Sequence, residues 1–345
     1  MAEENAGQLD VGLLELADAY AAPFLLRAAL RLGLAERIGE RTVTAESLAD
    51  EAGWHAPTVL RTLRALAALD VLAEGEPGRF RLTARGHRLR PNVPDSMYAF
   101  LAVSLDDPMW NAWPALDHSV RTGQSAFEHV HGSDYMTAVG WTDGSVTREQ
   151  VDRLMIDETA SVTPYVLAAV DLARFSTVVD IGGGSGPLIA AVLAVHSGMR
   201  GVLLDRADGA AHAPDVLARA GVENRCEIRI GDFLDSVPPA DLYVCKSVLF
   251  NYAADAAVAR LLANVREAIA ADGRLLLVEQ MLPTTVDGSV PARLYLDDIN
   301  SVVSLGGRWR TEPEYRSLLT AAGFSMVVHP LPLLGYSVIE AAPAG

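Results

Sequence analysis

Apolar residues recur at helical spacing through the first ~95 residues and in short strand-like runs from about residue 175 onward. A helix returns to the same face about every 3.6 residues and a strand every second residue, so the two halves are built differently. Thr44-Ala45-Glu46-Ser47-Leu48-Ala49 opens a short helix that Thr44 can cap, and Gly53 marks a turn. From Pro57 to Leu69, Val59, Leu60, Leu63, Leu66 and Ala67 share one face, with Arg61 and Arg64 away from it. Leu72-Ala73-Glu74 and Arg79-Phe80-Arg81-Leu82 flank Gly75-Glu76-Pro77-Gly78, the signature of a β-hairpin. Helix, turn, helix and hairpin predict a winged-helix domain over residues 1–95.

Residues 96–170 read as a helical, irregular segment with aromatics at Trp110, Trp113, Phe127, Tyr135 and Trp141. These either line a pocket for a flat ligand or fill a seam between domains. His129 and His131 read as a loop pair, since no third metal ligand follows at a recognisable spacing.

From about residue 175 strands and helices alternate. Thr177–Ile181, Gly201–Leu204, Cys226–Ile230, Ala240–Cys245 and Arg274–Glu279 read as strands, with helices near 186–195 and 254–271, the latter closed by Gly273. Ser325–Val328 and Tyr336–Glu340 add two more strands. The expected third domain, 171–345, is α/β: a mostly parallel, doubly wound, Rossmann-like sheet with an antiparallel carboxyl-terminal strand.

Composition narrows the function. The chain has 345 residues, 50% of them hydrophobic, enough for two packed domains. It carries 28 basic against 44 acidic residues, a formal charge of −16. Nucleic acids and anionic membrane surfaces recruit basic proteins, so neither is an expected partner. Arg79, Arg81, Arg85, Arg88 and Arg90 cluster beside the predicted wing, yet residues 1–100 hold 11 arginines against 14 acidic side chains. The surplus apolar surface of this domain points instead to a second subunit. Cys226 and Cys245 are too few for a disulfide framework. With no basic-then-apolar leader and no apolar run of spanning length, a cytoplasmic setting is expected. Of the basic residues only Lys246 is lysine.

The run Val179-Asp180-Ile181-Gly182-Gly183-Gly184-Ser185-Gly186-Pro187 follows the first strand of the predicted sheet. A glycine turn there lets a ligand approach the backbone at the point where strand order reverses. The dinucleotide spacing G-x-G-x-x-G fails from Gly182, where it ends on Pro187, and from Gly184, where it ends on Ile189. A phosphate-binding loop needs Gly-Lys-Ser/Thr, and none occurs. What fits is an acidic residue, Asp180, leading the alternate glycines Gly182, Gly184 and Gly186.

That pattern resembles the first motif of class I S-adenosylmethionine-dependent methyltransferases. The resemblance places Asp205, at the end of the second strand, on the ribose hydroxyls. Asp232 and Phe233, after the third strand, fall at the adenine. Taken with the winged-helix domain, nearly the whole chain resembles the plant-type small-molecule O-methyltransferases and their bacterial natural-product relatives. The family's Lys-x-x-Leu-His-Asp-Trp segment reads here Lys246-Ser247-Val248-Leu249-Phe250-Asn251-Tyr252. Its carboxyl-terminal signature reads Leu296-Asp297-Asp298-Ile299-Asn300, then Gly306-Gly307-Arg308-Trp309-Arg310-Thr311-Glu312. The resemblance implies a homodimer that binds S-adenosylmethionine on Asp180, Gly182, Gly184, Asp205, Asp232, Phe233, Lys246 and Ser247. The acceptor would lie near Asn251, Tyr252, Asn300 and Trp141. It also accounts for Asp297 and Asn300 without a metal.

One departure bears on mechanism. The family's general-base histidine falls on Phe250, its aspartate on Asn251 and its tryptophan on Tyr252. The acidic partners of the histidine map to Glu279 and to Glu312. Asn251, Tyr252 and Glu279 are therefore the candidate catalytic residues. Two readings stay open. Methyl transfer to a small, largely apolar natural product can proceed by proximity and orientation, without a histidine base. Alternatively, the same fold binds S-adenosylmethionine and catalyses a rearrangement, elimination, decarboxylation or hydroxylation.

Overall fold

A computed structural model describes residues 10–138, 147–333 and 335–345. Two compact units emerge: the described residues through Trp110 together with 147–151, and 111–138 together with Asp152 onward. Residues 96–170, expected as a helical linker that lines the substrate site, are divided between them. The longest helix of this segment, Arg148–Ala169, contributes Val162 and Val166 to the core of the second unit.

In the first unit, Thr44 caps the helix Ala45–Ala52 by accepting from the backbone of Ser47, whose side chain returns the bond to Thr44. The helix Ala56–Ala68 follows, with Val59, Leu63 and Leu66 buried. Strands β1 (Leu72–Glu74) and β2 (Phe80–Leu82) pair antiparallel, and Val43 bridges to Phe80. Ile38, Leu48, Leu63, Leu66 and Phe80 make the centre of this core. The predicted winged-helix order is present.

The second unit is built on an eight-stranded sheet among the described residues, with strands β3 (Thr177–Ile181), β4 (Arg200–Asp205), β5 (Cys226–Ile230), β6 (Ala240–Lys246), β7 (Ile269–Leu282), β8 (Arg310–Thr311), β9 (Phe324–Pro330) and β10 (Tyr336–Pro343). Its order is β5-β4-β3-β6-β7-β10-β9, and β8 adds to β7. Strands β3 to β7 pair parallel, whereas β10 runs antiparallel to β7 and β9 to β10. The chain winds outward from β3 to β5, then returns to start β6 on the other side of β3. The crevice between the ends of β3 and β6 is therefore the switch point where an open parallel sheet takes its ligand. Apolar clusters cover both faces, one centred on Ile189, Val192 and Leu203, the other on Val258, Leu262 and Leu277.

Two local expectations change. The helix expected over 254–271 ends at Ala268, and Gly273 lies inside β7. A Cβ at Gly273 would stand 2.9 Å from the Asp241 carbonyl, so this glycine serves close strand approach and not a helix cap. His129 and His131 lie on the helix Ala126–His131, capped by Ser125, and not in a loop. The His129 ring stacks on His118 at 3.8 Å. Among the described residues no group of three His, Cys, Asp or Glu side chains is arranged to hold a metal ion. No helix among them is long and apolar enough to cross a membrane.

Candidate active site

The glycine loop leaves β3 through left-handed backbone at Gly182, Gly184 and Gly186. Its amides are used where the sheet can reach them: Gly182 N donates to Leu204 O at 2.8 Å and Gly184 N to Asp205 Oδ2 at 2.6 Å. A Cβ at Gly183 would meet the Asp180 carboxyl at 2.8 Å, and one at Gly182 would meet Val248 Cγ2 at 2.7 Å. At Gly184 the situation reverses, with no described atom within 4 Å of that position. The loop is packed from behind and open at Gly184, the shape of a cradle.

Two carboxyls lie under and beside that cradle. Asp180 is 2% exposed, and its Oδ2 has no hydrogen-bond partner among the described residues. Burial first, then the charge of Asp205, pushes Asp180 up to about 7. Asp205 is also raised by burial, against the bonds it accepts from Gly184 N and from Arg206 N at 2.7 Å. A buried carboxyl with one unpartnered oxygen and a second acid at the rim of an open glycine cradle suit a cationic ligand that carries hydroxyls. S-adenosylmethionine, a sulfonium with a ribose, meets that description.

Beyond β5, Asp232 is exposed and accepts from Leu234 N at 2.8 Å. Phe233 is half-buried, with Cε1 3.7 Å from the Cβ position of Gly182. Its ring meets Tyr252 edge-on at 6.2 Å. The structure therefore brings Asp180, Gly182, Gly184, Asp205, Phe233 and Tyr252 into one neighbourhood. Burial, then Asp232, raises the Tyr252 hydroxyl, which disfavours a tyrosinate there.

Lys246 and Ser247 end β6. Ser247 is one of the few non-glycine residues with positive φ, 54°. The Lys246 ammonium lies 3.5 Å from Glu158 and 3.3 Å from Ser247 Oγ, and the Tyr336 hydroxyl donates to Glu158. Neither Glu158 nor Tyr336 carried a signal in the sequence, because an ion pair between a helix and strand ends has no local spacing.

The segment after Ser247 forms a single 3-10 turn, Leu249–Asn251. Phe250 meets Trp309 edge-on at 6.5 Å. Glu279 is 1% exposed, and one of its oxygens accepts from Val248 N at 3.0 Å and Leu249 N at 2.9 Å. Burial raises it to about 7, and these two bonds restrain the shift. Glu279 thus touches the backbone of the turn, while Glu312 is a half-exposed first-turn residue paired with Arg316. Asn251 is half-buried in the turn. Asn300 is exposed on the helix Ala292–Leu305, whose Asp298 accepts from Trp309 N at 2.8 Å. Trp141 lies outside the described residues.

Residues 113–325 match the model of the O-methyltransferase domain, and residues 14–91 that of the O-methyltransferase dimerisation domain. The chain belongs to the O-methyltransferase family. Its relatives include the O-demethylpuromycin O-methyltransferase of Streptomyces alboniger, 41% identical over 96% of this chain and 88% of that protein. The solved mitomycin 7-O-methyltransferase MmcR is 31% identical with a TM-score of 0.88, covering 97% of this chain and 98% of that one. CalO1, a methyltransferase in calicheamicin biosynthesis solved with S-adenosylhomocysteine, is also 31% identical, with a TM-score of 0.81 over 97% and 98% of the two chains. This family of enzymes uses S-adenosylmethionine, the ligand class that the cradle suits.

Proposed function

We propose that this enzyme methylates a hydroxyl of a small, largely apolar aromatic metabolite at a site with no side-chain base at position 250. The observation that carries this reading is the meeting, at one end of the sheet, of a cradle suited to a cationic ligand with a turn that presents Phe250, Asn251 and Tyr252. Asp180, Gly182, Gly184, Asp205, Asp232, Phe233, Lys246 and Ser247 would hold S-adenosylmethionine, which supplies an electrophilic methyl group when bound. Asp205 keeps lone pairs for hydroxyl donors after its two backbone bonds. Phe233 offers an apolar flank to a flat ring. Asn251, Tyr252 and Asn300 are assigned to the acceptor, and Trp141 keeps that assignment from the sequence alone. Glu279 is assigned to hold the turn, since one of its oxygens accepts from two of the turn's amides.

Without a base, the acceptor must lose its proton unaided, so orientation carries the rate. That selects hydroxyls more acidic than an ordinary phenol, whose pKa is about 10, such as those conjugated to a carbonyl or quinone. The relatives named for puromycin, mitomycin and calicheamicin chemistry support a natural-product acceptor.

The dimerisation-domain match and the exposure of Val11, Leu13, Leu16 and Tyr20 support a homodimer. Both cysteines are free, in keeping with a cytoplasmic setting. The reading is tested by incubating the enzyme with S-adenosylmethionine and a panel of aromatic hydroxyls of graded acidity. S-adenosylhomocysteine and methyl ether should appear together for acidic members, and Phe250→His should extend turnover to the weaker acids. Turnover independent of acceptor acidity would overturn it.

A further inference from the structure

We propose that Arg310 is a positioning residue for methyl transfer, one half of a two-sided grip on the turn 249–253 whose other half is Glu279. The proposal rests on the reading that this turn faces the acceptor. Arg310 opens β8 and is fully buried, yet none of its bonds reaches the cradle. Its Nη1 donates to Leu249 O at 3.2 Å, and its Nη2 to Tyr252 O at 2.8 Å and Ala253 O at 3.3 Å. Nε and Nη2 both reach Asp255 Oδ1, at 3.0 and 2.8 Å. From the other side Glu279 accepts from Val248 N and Leu249 N. Leu249 is therefore held at its N–H by a buried acid and at its C=O by a buried guanidinium.

The strand pairing explains how both halves reach one turn. Glu279 lies in β7, and Arg310 pairs with Met281 two residues further along that strand. The grip meets a need of the backbone. The turn's own bond, from Tyr252 N, already serves Leu249 O at 3.2 Å, but the carbonyls of Tyr252 and Ala253 have no such partner in the turn, and unpaired carbonyls away from water are costly. A guanidinium presents several donors in one planar fork, so it can serve Leu249, Tyr252 and Ala253 at once. The residues held between these bonds are Phe250, Asn251 and Tyr252. Their placement against an acceptor depends on a backbone path that begins at the strained φ of Ser247. Positioning matters most where no base contributes to the rate, because a small misplacement then falls entirely on the reaction step.

Arg310→Lys and Asp255→Asn test the grip, with every assay run well below each variant's melting temperature. A lysine cannot span the same carbonyls, whereas Asp255→Asn keeps an acceptor oxygen at a half-exposed position and leaves the core filled. Arg310→Lys should lower kcat/KM for the acceptor about tenfold, and Asp255→Asn about threefold, with the dissociation constant for S-adenosylmethionine unchanged. Should Arg310→Lys not fold, Asp255→Asn carries the test. Acceptor kcat/KM within twofold of wild type in the folded variants would overturn the proposal, as would an equal weakening of cofactor binding, which marks general loosening. Phe250→Ala separates the two layers of argument. If it leaves acceptor kinetics unchanged, the placement of the acceptor on this turn has failed, whatever Arg310 does.

Discussion

Glu279 and Asp180 are acids whose burial outweighs their hydrogen bonds, and both are pushed up to about 7. A carboxyl that holds its proton more tightly folded than unfolded stabilises the fold at low pH. That contribution is full below the ordinary carboxyl range and lost as pH rises through about 7. Glu279→Gln keeps an oxygen for Val248 N and Leu249 N while removing the titration. Its melting temperature should therefore gain on wild type between pH 5 and 8, and methyl transfer should persist. A constant gap by calorimetry would contradict the raised carboxyl, whereas lost turnover in a folded variant would return Glu279 to proton transfer. Gly184 makes a second residue-scale case. Gly184→Ala places a methyl in open space at φ 57°, costing about 1 kcal/mol of strain. Cofactor affinity should fall tenfold or more if that space is the ligand's, and calorimetry with S-adenosylmethionine reads it directly. At this scale the sequence marked Asp180, Gly182, Gly184 and Asp205 because a motif keeps them close in order. Arg310 stood in a quoted signature without a role, since only tertiary structure shows that its fork ends on carbonyls 57 to 61 residues away.

Elements were most legible where a strand was short, apolar and bounded. Thr177–Ile181 falls where its run predicts, with four of its five residues buried in the middle of the sheet. Cys226–Ile230 also falls in its expected place, although as the edge strand it is partly exposed and carries Glu227 and Arg229. The end of the helix Asp255–Ala268 was not legible. Ala270 and Ala271 continue a helical pattern, but pairing of Ile269 with Ala240 overrides it. Gly273 then belongs to the packing of β7 on β6. Gly273→Ala should lower the melting temperature by several degrees, because its methyl has backbone oxygens 2.9 Å away on two sides. An unchanged melting curve would show that the strand shifts to admit it. The histidines show the same limit: His129 lies on a helix because Ser125 caps it and also donates to Val303 O, a contact far off in sequence.

On the scale of the whole molecule, the −16 charge is distributed unevenly, with −3 over residues 1–100 and −13 beyond. The acidic excess thus accompanies the sheet that holds the cradle, and the arginine cluster beside the wing does not make the first domain basic. The exposed apolar residues of the helix Val11–Asp18 have a clear consequence for assembly. Leu13→Asp with Leu16→Asp should shift the protein from dimer to monomer in analytical ultracentrifugation. A dimer that survives both changes would place the interface elsewhere. The winged-helix order, the doubly wound sheet and the glycine loop after its first strand were legible in the chain, whereas the division of residues 96–170 between two units was not. The central claim is methyl transfer to an acceptor that ionises on its own. Its most direct test is the pH dependence of kcat/KM for two phenolic acceptors of different acidity, followed by formation of S-adenosylhomocysteine. The inflection should move with the pKa of the acceptor. An inflection fixed by the enzyme, or retained cofactor with no S-adenosylhomocysteine formed, would contradict it.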